Sequence, residues 1–179
     1  MFARLGAKVI DTDAIVHREM RRGGRCYAGV IRAFGAQVAG KNGIDRKKLA
    51  AVVFSGRRKL KRLERIVHPK VRWGIDEELK KYRGREIAVI EAPLLFEAGF
   101  DSYVDTAIVV TASRRGQIER SRRSLKITRT EALRRIEAQM PLRDKIRRAD
   151  IIIDNHTTKT QTHKQVKAIW QKLTQRVKK

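Results

Sequence analysis

Apolar residues gather in four short runs along the chain, and these runs predict buried β-strands. The runs are Lys8–Asp11, Glu86–Phe96, Thr106–Ala112 and Asp150–Asn155. The second and third are almost continuous in Val, Ile and Ala, which is typical of parallel strands covered on both faces. Because long helical patterns separate the strands, the order indicates an α/β protein built by right-handed crossovers.

Helical periodicity fills the segments between these runs. The longest predicted helix covers Arg46–Arg65, where leucines and valines recur at helical spacing with basic residues between them. We expect the pair His68-Pro69 to interrupt the helical pattern before it resumes. Further helices are predicted over Ala14–Arg22, Val71–Lys81, Gln117–Arg123, Thr130–Met140 and Val166–Leu173. The region between the first two strands is too long for one crossover, so it predicts a mainly helical insertion.

The charge balance predicts attraction to polyanions. The 179 residues include 43 Lys and Arg against 19 Asp and Glu, a formal net charge of +24. Such an excess favours nucleic acid or small ligands with several phosphates, or it is a solvated basic surface. Aromatic residues are only 6% and are not interleaved with the basic clusters, which argues against a base-stacking platform. The run Arg57–Arg62 is expected to be solvated. Arg114–Lys126 is denser in Arg, so a phosphate-binding flap is at least as well supported there as a solvated face.

Cysteine usage and hydropathy predict a soluble cytoplasmic protein. Cys26 is the only cysteine, so no internal disulfide forms and a reducing compartment is expected. The first residues lack a continuous apolar segment typical of a signal peptide, and no run is long enough to span a membrane. The four histidines show no zinc-like spacing with Cys26, which excludes a structural zinc site.

Acidic and amide side chains stand at the ends of three predicted strands. Asp11 and Asp13 follow the first strand, Glu91 lies within the second, and Asp154 and Asn155 end the last. Ligands of open parallel sheets bind at the carboxyl ends of the strands. These positions therefore predict a site that handles phosphates, in which acids bind Mg²⁺ or accept a proton and Arg or Lys binds the phosphates.

Each of these residues also has a structural interpretation. Asp13 precedes a helical pattern and is compatible with a helix N-cap. Glu91 stands in an apolar strand, where a carboxylate is costly unless it is paired or bound to a metal, so both roles stay open. His68 before Pro69 is compatible with a packed or hydrogen-bonded turn histidine.

Five segments in the same order resemble one family, the dephospho-coenzyme A kinases of the P-loop kinase class. They are Leu5–Arg18, Asp45–Ser55, Leu63–Arg72, Glu91–Asp105 and Gln139–Asn155. The resemblance implies a three-layer, P-loop kinase-like parallel sheet formed by residues of about 1–22, 86–112 and 146–175. It also implies a helical CoA-binding insertion at about 23–85 and a helical lid at about 113–145, within a single domain.

The resemblance implies ATP-dependent phosphorylation of the ribose 3′-hydroxyl of dephospho-CoA, with Mg²⁺. Asp13 matches the carboxylate that accepts the proton of the attacking hydroxyl, and Arg120 matches the lid arginine that closes over the ATP phosphates. Glu91 matches an acid near the metal and the substrate. The other residues that the resemblance places at the substrate are Asp11, His68, Pro69, Pro93, Leu94 and Leu95, and those at the nucleotide are Arg123 and Asn155.

Two departures from the family pattern change these expectations. Ser124 stands where a second basic lid residue usually follows, and Arg122 or Arg123 is expected to replace it. The family also opens with a strand and a Gly-rich loop ending in Gly-Lys-Ser or Gly-Lys-Thr, which together with most of a helix amount to roughly twenty residues. This sequence contains neither that strand nor that loop, and its first residues, Met1–Leu5, resemble the end of the helix that follows the loop. A start codon placed too far downstream or a decayed gene would produce this pattern.

The missing loop and strand predict a poor kinase. The loop's N–H groups cradle phosphates, and the absent strand is the central one, so two apolar strand edges are expected to lack partners. Two alternatives follow: an inactive remnant that retains a CoA-type pocket, and a basic nucleic-acid-binding protein.

Overall fold

The four predicted strands all form in a computed structural model of the chain, which describes residues 1–82 and 86–178. The strands are β1 (Lys8–Asp11), β2 (Ala39–Gly40), β3 (Gly43–Ile44), β4 (Ala88–Glu91), β5 (Ile108–Thr111) and β6 (Ile151–Asp154). The prediction for β1 is confirmed to the residue, whereas the other three predicted strands are shorter than expected. β4 ends before Ala92-Pro93, because proline cannot donate a hydrogen bond to a sheet.

The strands form three two-stranded sheets instead of one continuous sheet. β1 pairs with β4, and β5 pairs in parallel with β6, with Ile108 opposite Ile151 and Thr111 opposite Asp154. β2 and β3 form a short antiparallel hairpin. Within the described residues, β4 and β5 therefore each have one strand neighbour, and the single parallel sheet predicted from the sequence is present only in pieces.

The helices are divided differently than the periodicity predicts. They are α1 (Thr12–Glu19), α2 (Tyr27–Phe34), α3 (Arg46–Val53), α4 (Arg57–Leu79), α5 (Arg114–Leu125), α6 (Arg129–Glu137), α7 (Leu142–Arg148) and α8 (Lys159–Lys178). Of these, α4, α5 and α8 are longer than expected. None of the helices in the described ranges is long and apolar enough to cross a membrane.

The predicted interruption at His68-Pro69 is wrong, because α4 continues through Pro69. A proline inside a helix costs about 3 kcal/mol through a lost hydrogen bond and a clash with the preceding turn. The same helix buries Val67, Val71 and Ile75, and each buried side chain of this size contributes roughly 1.5–3 kcal/mol. The gain exceeds the cost, so the helix persists and the break falls earlier, between α3 and α4.

The chain divides into two compact units. The helical unit comprises the described residues of 9–84 and 88–93, and the second unit comprises those of 1–8, 85–87 and 94–179. We call the second the lid unit because it contains residues 113–145, for which the resemblance predicts a lid. In the helical unit, Cys26, Val30, Val38 and Ile75 have no exposed surface. α1 packs closely on α4, since a Cβ added to Gly74 would lie 2.5 Å from Cγ2 of Ile15. This contact holds α1 in a defined position.

The lid unit is built on β5 and β6. One cluster packs Ile153 against Val166 and Ile169 of α8, and a second joins Phe96, Ala107 and Val109. Glu97 accepts hydrogen bonds from the Met140 N–H at 2.8 Å and from Lys145 at 2.9 Å, which ties the segment after β4 to the start of α7.

The buried Cys26 predicts a thiol that reacts only after unfolding. Its side chain has no exposed surface, and this burial raises the pKa of the thiol to about 11. The thiolate is the reactive form, so its fraction near pH 8 is very small. We expect labelling by a maleimide to be at least about 100-fold slower in buffer than in urea, where the pKa returns to about 8.5. Equal rates in both solvents would contradict the packing around α2, and Cys26→Ala provides the baseline.

Candidate functional site

The junction between β1 and α1 shows which of its two acids caps the helix. Asp11 is the N-cap, and its Oδ1 accepts hydrogen bonds from the N–H groups of Asp13 at 2.8 Å and Ala14 at 3.1 Å. Asp13 lies in the first turn of α1, so the structural interpretation of Asp13 as the cap is wrong. The strand runs into the helix without a loop, which places the cap two residues earlier than the sequence pattern suggests.

The Asp13 carboxylate is therefore available for chemistry. Asp13 is exposed, and within the described residues its side chain accepts no hydrogen bond and forms no ion pair. Its position in the first turn of α1 exposes it to the positive end of the helix dipole, which favours a negative charge there.

Thr12 brings the end of β4 to the start of α1. Its hydroxyl, on a residue that is 6% exposed, donates a hydrogen bond of 2.9 Å to the backbone C=O of Glu91. Because β1 also pairs with β4, Asp11, Asp13 and Glu91 lie at one sheet edge of the helical unit. Glu91 is exposed, so its carboxylate does not carry the cost of burial in an apolar strand, and both of its predicted roles stay open.

A second polar cluster lies at the ends of β5 and β6 in the lid unit. Nη2 of Arg120 donates a hydrogen bond of 3.1 Å to the backbone C=O of Asn155, so two residues predicted at the nucleotide are neighbours. The Asn155 N–H donates to the C=O of Thr111 at 3.2 Å, and its Oδ1 accepts from Thr162 at 3.1 Å. These bonds hold the loop after β6 against α5 and α8.

Two members of this second cluster, His156 and Thr111, were not predicted from the sequence. Nδ1 of His156 lies 2.5 Å from Oδ1 of Asp154 and 3.4 Å from the hydroxyl of Thr111. Hydrogen bonds from the backbone N–H and the ring of His156 lower the pKa of the Asp154 carboxyl. The rule that ligands bind at strand ends identifies Asp154 and Asn155, and extending it by one residue would have found His156.

The arginines of α5 differ in how far they are already paired. Arg122 forms an ion pair of 3.2 Å with Glu119, whereas Arg123 has no ion-pair partner in the part of the chain that the structure describes. Ser124 donates a hydrogen bond to the C=O of Ser121 within its own helix. Arg123 is therefore the better of the two candidates for the second basic lid residue.

The residues predicted to line the substrate pocket lie in different settings. His68 is half-buried in α4, where Pro69 is exposed, and Pro93 is exposed after β4. Leu94 and Leu95 are half-buried, and Leu95 packs against the cluster of the lid unit that contains Phe96. Leu95 therefore has a clear packing role, and a substrate role for the other residues stays a prediction.

The described residues contain no group of three or more His, Cys, Asp or Glu side chains that could hold a metal ion. Glu91 alone provides an exposed carboxylate at the end of β4. Mg²⁺ is commonly bound by one or two carboxylates together with the phosphates of a substrate, and a single acid fits that pattern.

Comparison with known proteins identifies the family. The sequence model for the family described as dephospho-CoA kinase matches residues 1–161. The chain belongs to the dephospho-CoA kinase family. This confirms the resemblance of the five collinear segments, and it makes the chain a member of a family of phosphotransferases.

Individual dephospho-CoA kinases show the same similarity over nearly the whole chain. The protein from Bacillus cereus is 38% identical over 172 residues, covering 94% of this chain and 86% of the relative. The protein from Aquifex aeolicus is 37% identical, covering 97% of this chain and 89% of the relative.

Solved structures support the α/β fold. The crystal structure of TT1252 from Thermus thermophilus matches with a TM-score of 0.77 and 32% identity, covering 96% of this chain and 87% of that one. Dephospho-CoA kinase from Campylobacter jejuni matches with a TM-score of 0.66 and 25% identity, covering 97% and 88% of the two chains.

Proposed function

We propose that this chain transfers the γ-phosphoryl group of ATP to the ribose 3′-hydroxyl of dephospho-CoA, giving coenzyme A and ADP. The observation that carries the proposal is the Asp13 carboxylate, which has no partner among the described residues and lies beside Asp11, the N-cap of α1, in a chain of the dephospho-CoA kinase family. In this proposal residues 23–85 form the CoA-binding insertion and residues 113–145 form the lid. The cytoplasmic location stays a prediction.

Asp13 is the proposed proton acceptor. As the ribose 3′-oxygen forms its bond to the γ-phosphorus, the hydroxyl proton passes to the Asp13 carboxylate. The bond between the γ-phosphorus and the β,γ-bridging oxygen breaks, and ADP leaves with that electron pair. Phosphoryl transfer has a loose transition state, so a positioned acceptor of ordinary basicity is sufficient.

The lid cluster is proposed to bind the nucleotide. Arg120 is exposed and already oriented by its hydrogen bond to Asn155, and Arg123 has no competing acid among the described residues. A planar guanidinium neutralises charge on phosphate oxygens through paired N–H donors. Both arginines therefore suit the β- and γ-phosphates of ATP, with Asn155 near the base.

Glu91 is the proposed protein ligand for Mg²⁺, with the remaining ligands supplied by substrate phosphates and water. Bound there, the ion would neutralise negative charge on the phosphates. The backbone C=O of Glu91 accepts a hydrogen bond from the Thr12 hydroxyl, so the strand end that carries the carboxylate has a fixed position relative to α1.

The test compares two forms of the protein. The printed residues contain no Gly-rich loop ending in Gly-Lys-Ser or Gly-Lys-Thr. One form is the chain itself, and the other carries a strand and such a loop fused ahead of Met1. We expect the extended form to make coenzyme A from ATP and dephospho-CoA, and the chain itself to be at least about 100-fold slower, because it lacks the donors that cradle the phosphates.

Two other results would change the proposal. If neither form makes coenzyme A, the proposed activity is wrong. If both forms bind dephospho-CoA by calorimetry but neither turns it over, the chain is a binding protein without kinase activity.

A further inference from the structure

A cleft of about 540 Å³ lies at the C-terminal end of α1, wholly within the helical unit. Its walls are the residues that end α1, the β2–β3 hairpin and the first residue of α3. Four basic side chains line it: His17, Arg21, Lys41 and Arg46. Among the described residues, Asp45 is the only acidic one that lines it.

The backbone gives this cleft a fixed shape. The Ile44 N–H donates to the C=O of Met20 at 2.9 Å, and the Arg22 N–H donates to the C=O of Asn42 at 3.2 Å, so the hairpin is tied to the end of α1. Gly43 has φ +151°, and a Cβ there would lie 2.5 Å from the carbonyl oxygen of Met20. The close approach therefore requires glycine, and the basic side chains project from a rigid frame.

The positive charges of the cleft are not neutralised by the protein. Arg21, Lys41 and Arg46 carry these charges; all three are exposed, and in the described ranges none of them has an ion-pair partner. Asp45 is already used as the N-cap of α3, where its Oδ1 accepts from the N–H groups of Lys47 at 2.9 Å and Lys48 at 3.1 Å. These bonds lower the pKa of the Asp45 carboxyl, but the three Arg and Lys charges still exceed its single negative charge.

The cleft begins one helical turn beyond Asp13 along α1. Asp13 and His17 are four residues apart in α1, which places them on the same face and about 6 Å apart along the helix axis. Arg21 follows directly after Met20, the C-cap of α1. In dephospho-CoA, the 3′-hydroxyl and the diphosphate attached at the 5′-position belong to the same ribose. A hydroxyl held at Asp13 can therefore extend its diphosphate toward the next turns of α1.

We propose that this basic cleft binds the diphosphate group of dephospho-CoA and thereby sets the position of the 3′-hydroxyl at Asp13. The inference rests on the proposed function, because it assumes that dephospho-CoA is the acceptor substrate. Arg21, Lys41 and Arg46 supply the charge-assisted hydrogen bonds to the diphosphate oxygens, which are stronger than bonds between neutral groups. ATP offers the same phosphate chemistry, so the experiment must separate the two ligands.

The test uses two double variants of the full chain with the same change of charge. Lys41→Ala with Arg46→Ala removes two cations from the cleft. Lys47→Ala with Lys48→Ala removes two exposed cations of α3 that do not line it. Calorimetry measures the binding of dephospho-CoA, of ATP and of pantetheine, which carries no phosphate. Circular dichroism confirms that both variants fold.

We expect the cleft variant to weaken dephospho-CoA binding at least about tenfold and the control variant less than about threefold. ATP binding should change equally in the two variants, and pantetheine binding in neither. In the extended form, which carries the added strand and Gly-rich loop, KM for dephospho-CoA should rise with little change in kcat, since the lost contact is made before and during reaction alike.

Other outcomes overturn the inference. Equal weakening of dephospho-CoA binding in both variants would show a general effect of net charge. Weaker ATP binding in the cleft variant alone would assign the cleft to the phosphoryl donor. If the parent chain binds dephospho-CoA and its extended form phosphorylates it, an unaffected cleft variant would refute the cleft and leave the proposed function standing. If the parent chain does not bind dephospho-CoA and the extended form does not phosphorylate it, both are refuted.

Discussion

Replacing Asp13 with Asn will lower kcat for coenzyme A formation by about 10²–10⁴-fold, the range for losing a positioned general base. The amide is nearly isosteric and cannot accept the proton of the ribose hydroxyl. Since the Asp13 side chain makes no hydrogen bond or ion pair within the described residues, its loss should leave the free energy of unfolding nearly unchanged. The measurement is a steady-state assay of the variant in the extended form, which carries the added strand and Gly-rich loop, together with a urea titration of the same variant.

The controls separate chemistry from charge and from helix capping. Asp105→Asn makes the same chemical change at an exposed position of the lid unit and should change kcat by less than about threefold. Asp11→Ala removes the cap of α1 and should lower the free energy of unfolding by about 1 kcal/mol. If Asp13→Asn keeps full kcat, Asp13 is not the proton acceptor. If it instead lowers stability as Asp11→Ala does, the assignment of the cap is wrong.

Replacing Glu19 with Ala will give the largest loss of stability among the ion-pair variants of the helical unit. Glu19 is 3% exposed at the end of α1. Its carboxylate accepts hydrogen bonds from Nε of Arg18 at 3.3 Å and from the Arg25 N–H at 3.2 Å, and it lies 3.6 Å from Nη1 of Arg25. Removing one partner of a buried charge pair costs about 3–5 kcal/mol, and here a backbone donor also loses its acceptor. We take the lower value, because both arginines are themselves exposed.

The expected change is a loss of about 3 kcal/mol in the free energy of unfolding, or roughly 6–12 °C in Tm for a chain of this length. Glu78→Ala is the matched control. Glu78 also pairs with Arg18, at 3.2 Å, and with Lys81, at 2.7 Å, but its side chain is 21% exposed and lies at the surface. Surface pairs contribute about 0–1 kcal/mol. Equal losses in the two variants would mean that the burial of Glu19 has no energetic weight.

The strands were the most predictable part of the fold, and the division of the helices was the least. β1 was predicted to the residue because its apolar run is bounded by polar residues on both sides and depends on nothing distant. α4 was not predicted correctly. The rule that proline breaks a helix considers only the local backbone, and it omits the burial of Val71 and Ile75 on the other face of the helix. The hairpin of β2 and β3 was not predicted, because each of its strands has only two residues and is too short to show a periodic pattern.

The candidate site shows the same limit. The strand-end rule selected Asp11, Asp13, Glu91 and Asn155, and the structure places each at a strand end or in the first turn of a helix. Thr12, which donates to the Glu91 C=O, was missed because the two residues lie 79 positions apart in the chain. His156, whose ring contacts Asp154 and Thr111, stands one residue beyond the positions that the rule selected. Basic residues of the cleft at the end of α1 were visible in the sequence only as part of a general excess of charge.

The sequence by itself determined the strand positions, the order of the five matching segments, and hence the family. Each of these depends on residue types in short stretches, which are complete without knowledge of distant contacts. Only the tertiary structure decided that Asp11 caps α1 and leaves Asp13 free, that Glu91 is exposed, and that unpaired cations from three segments line one cleft. Those properties depend on the direction of the backbone at a junction and on pairs of residues far apart in the chain, and local residue patterns do not encode either.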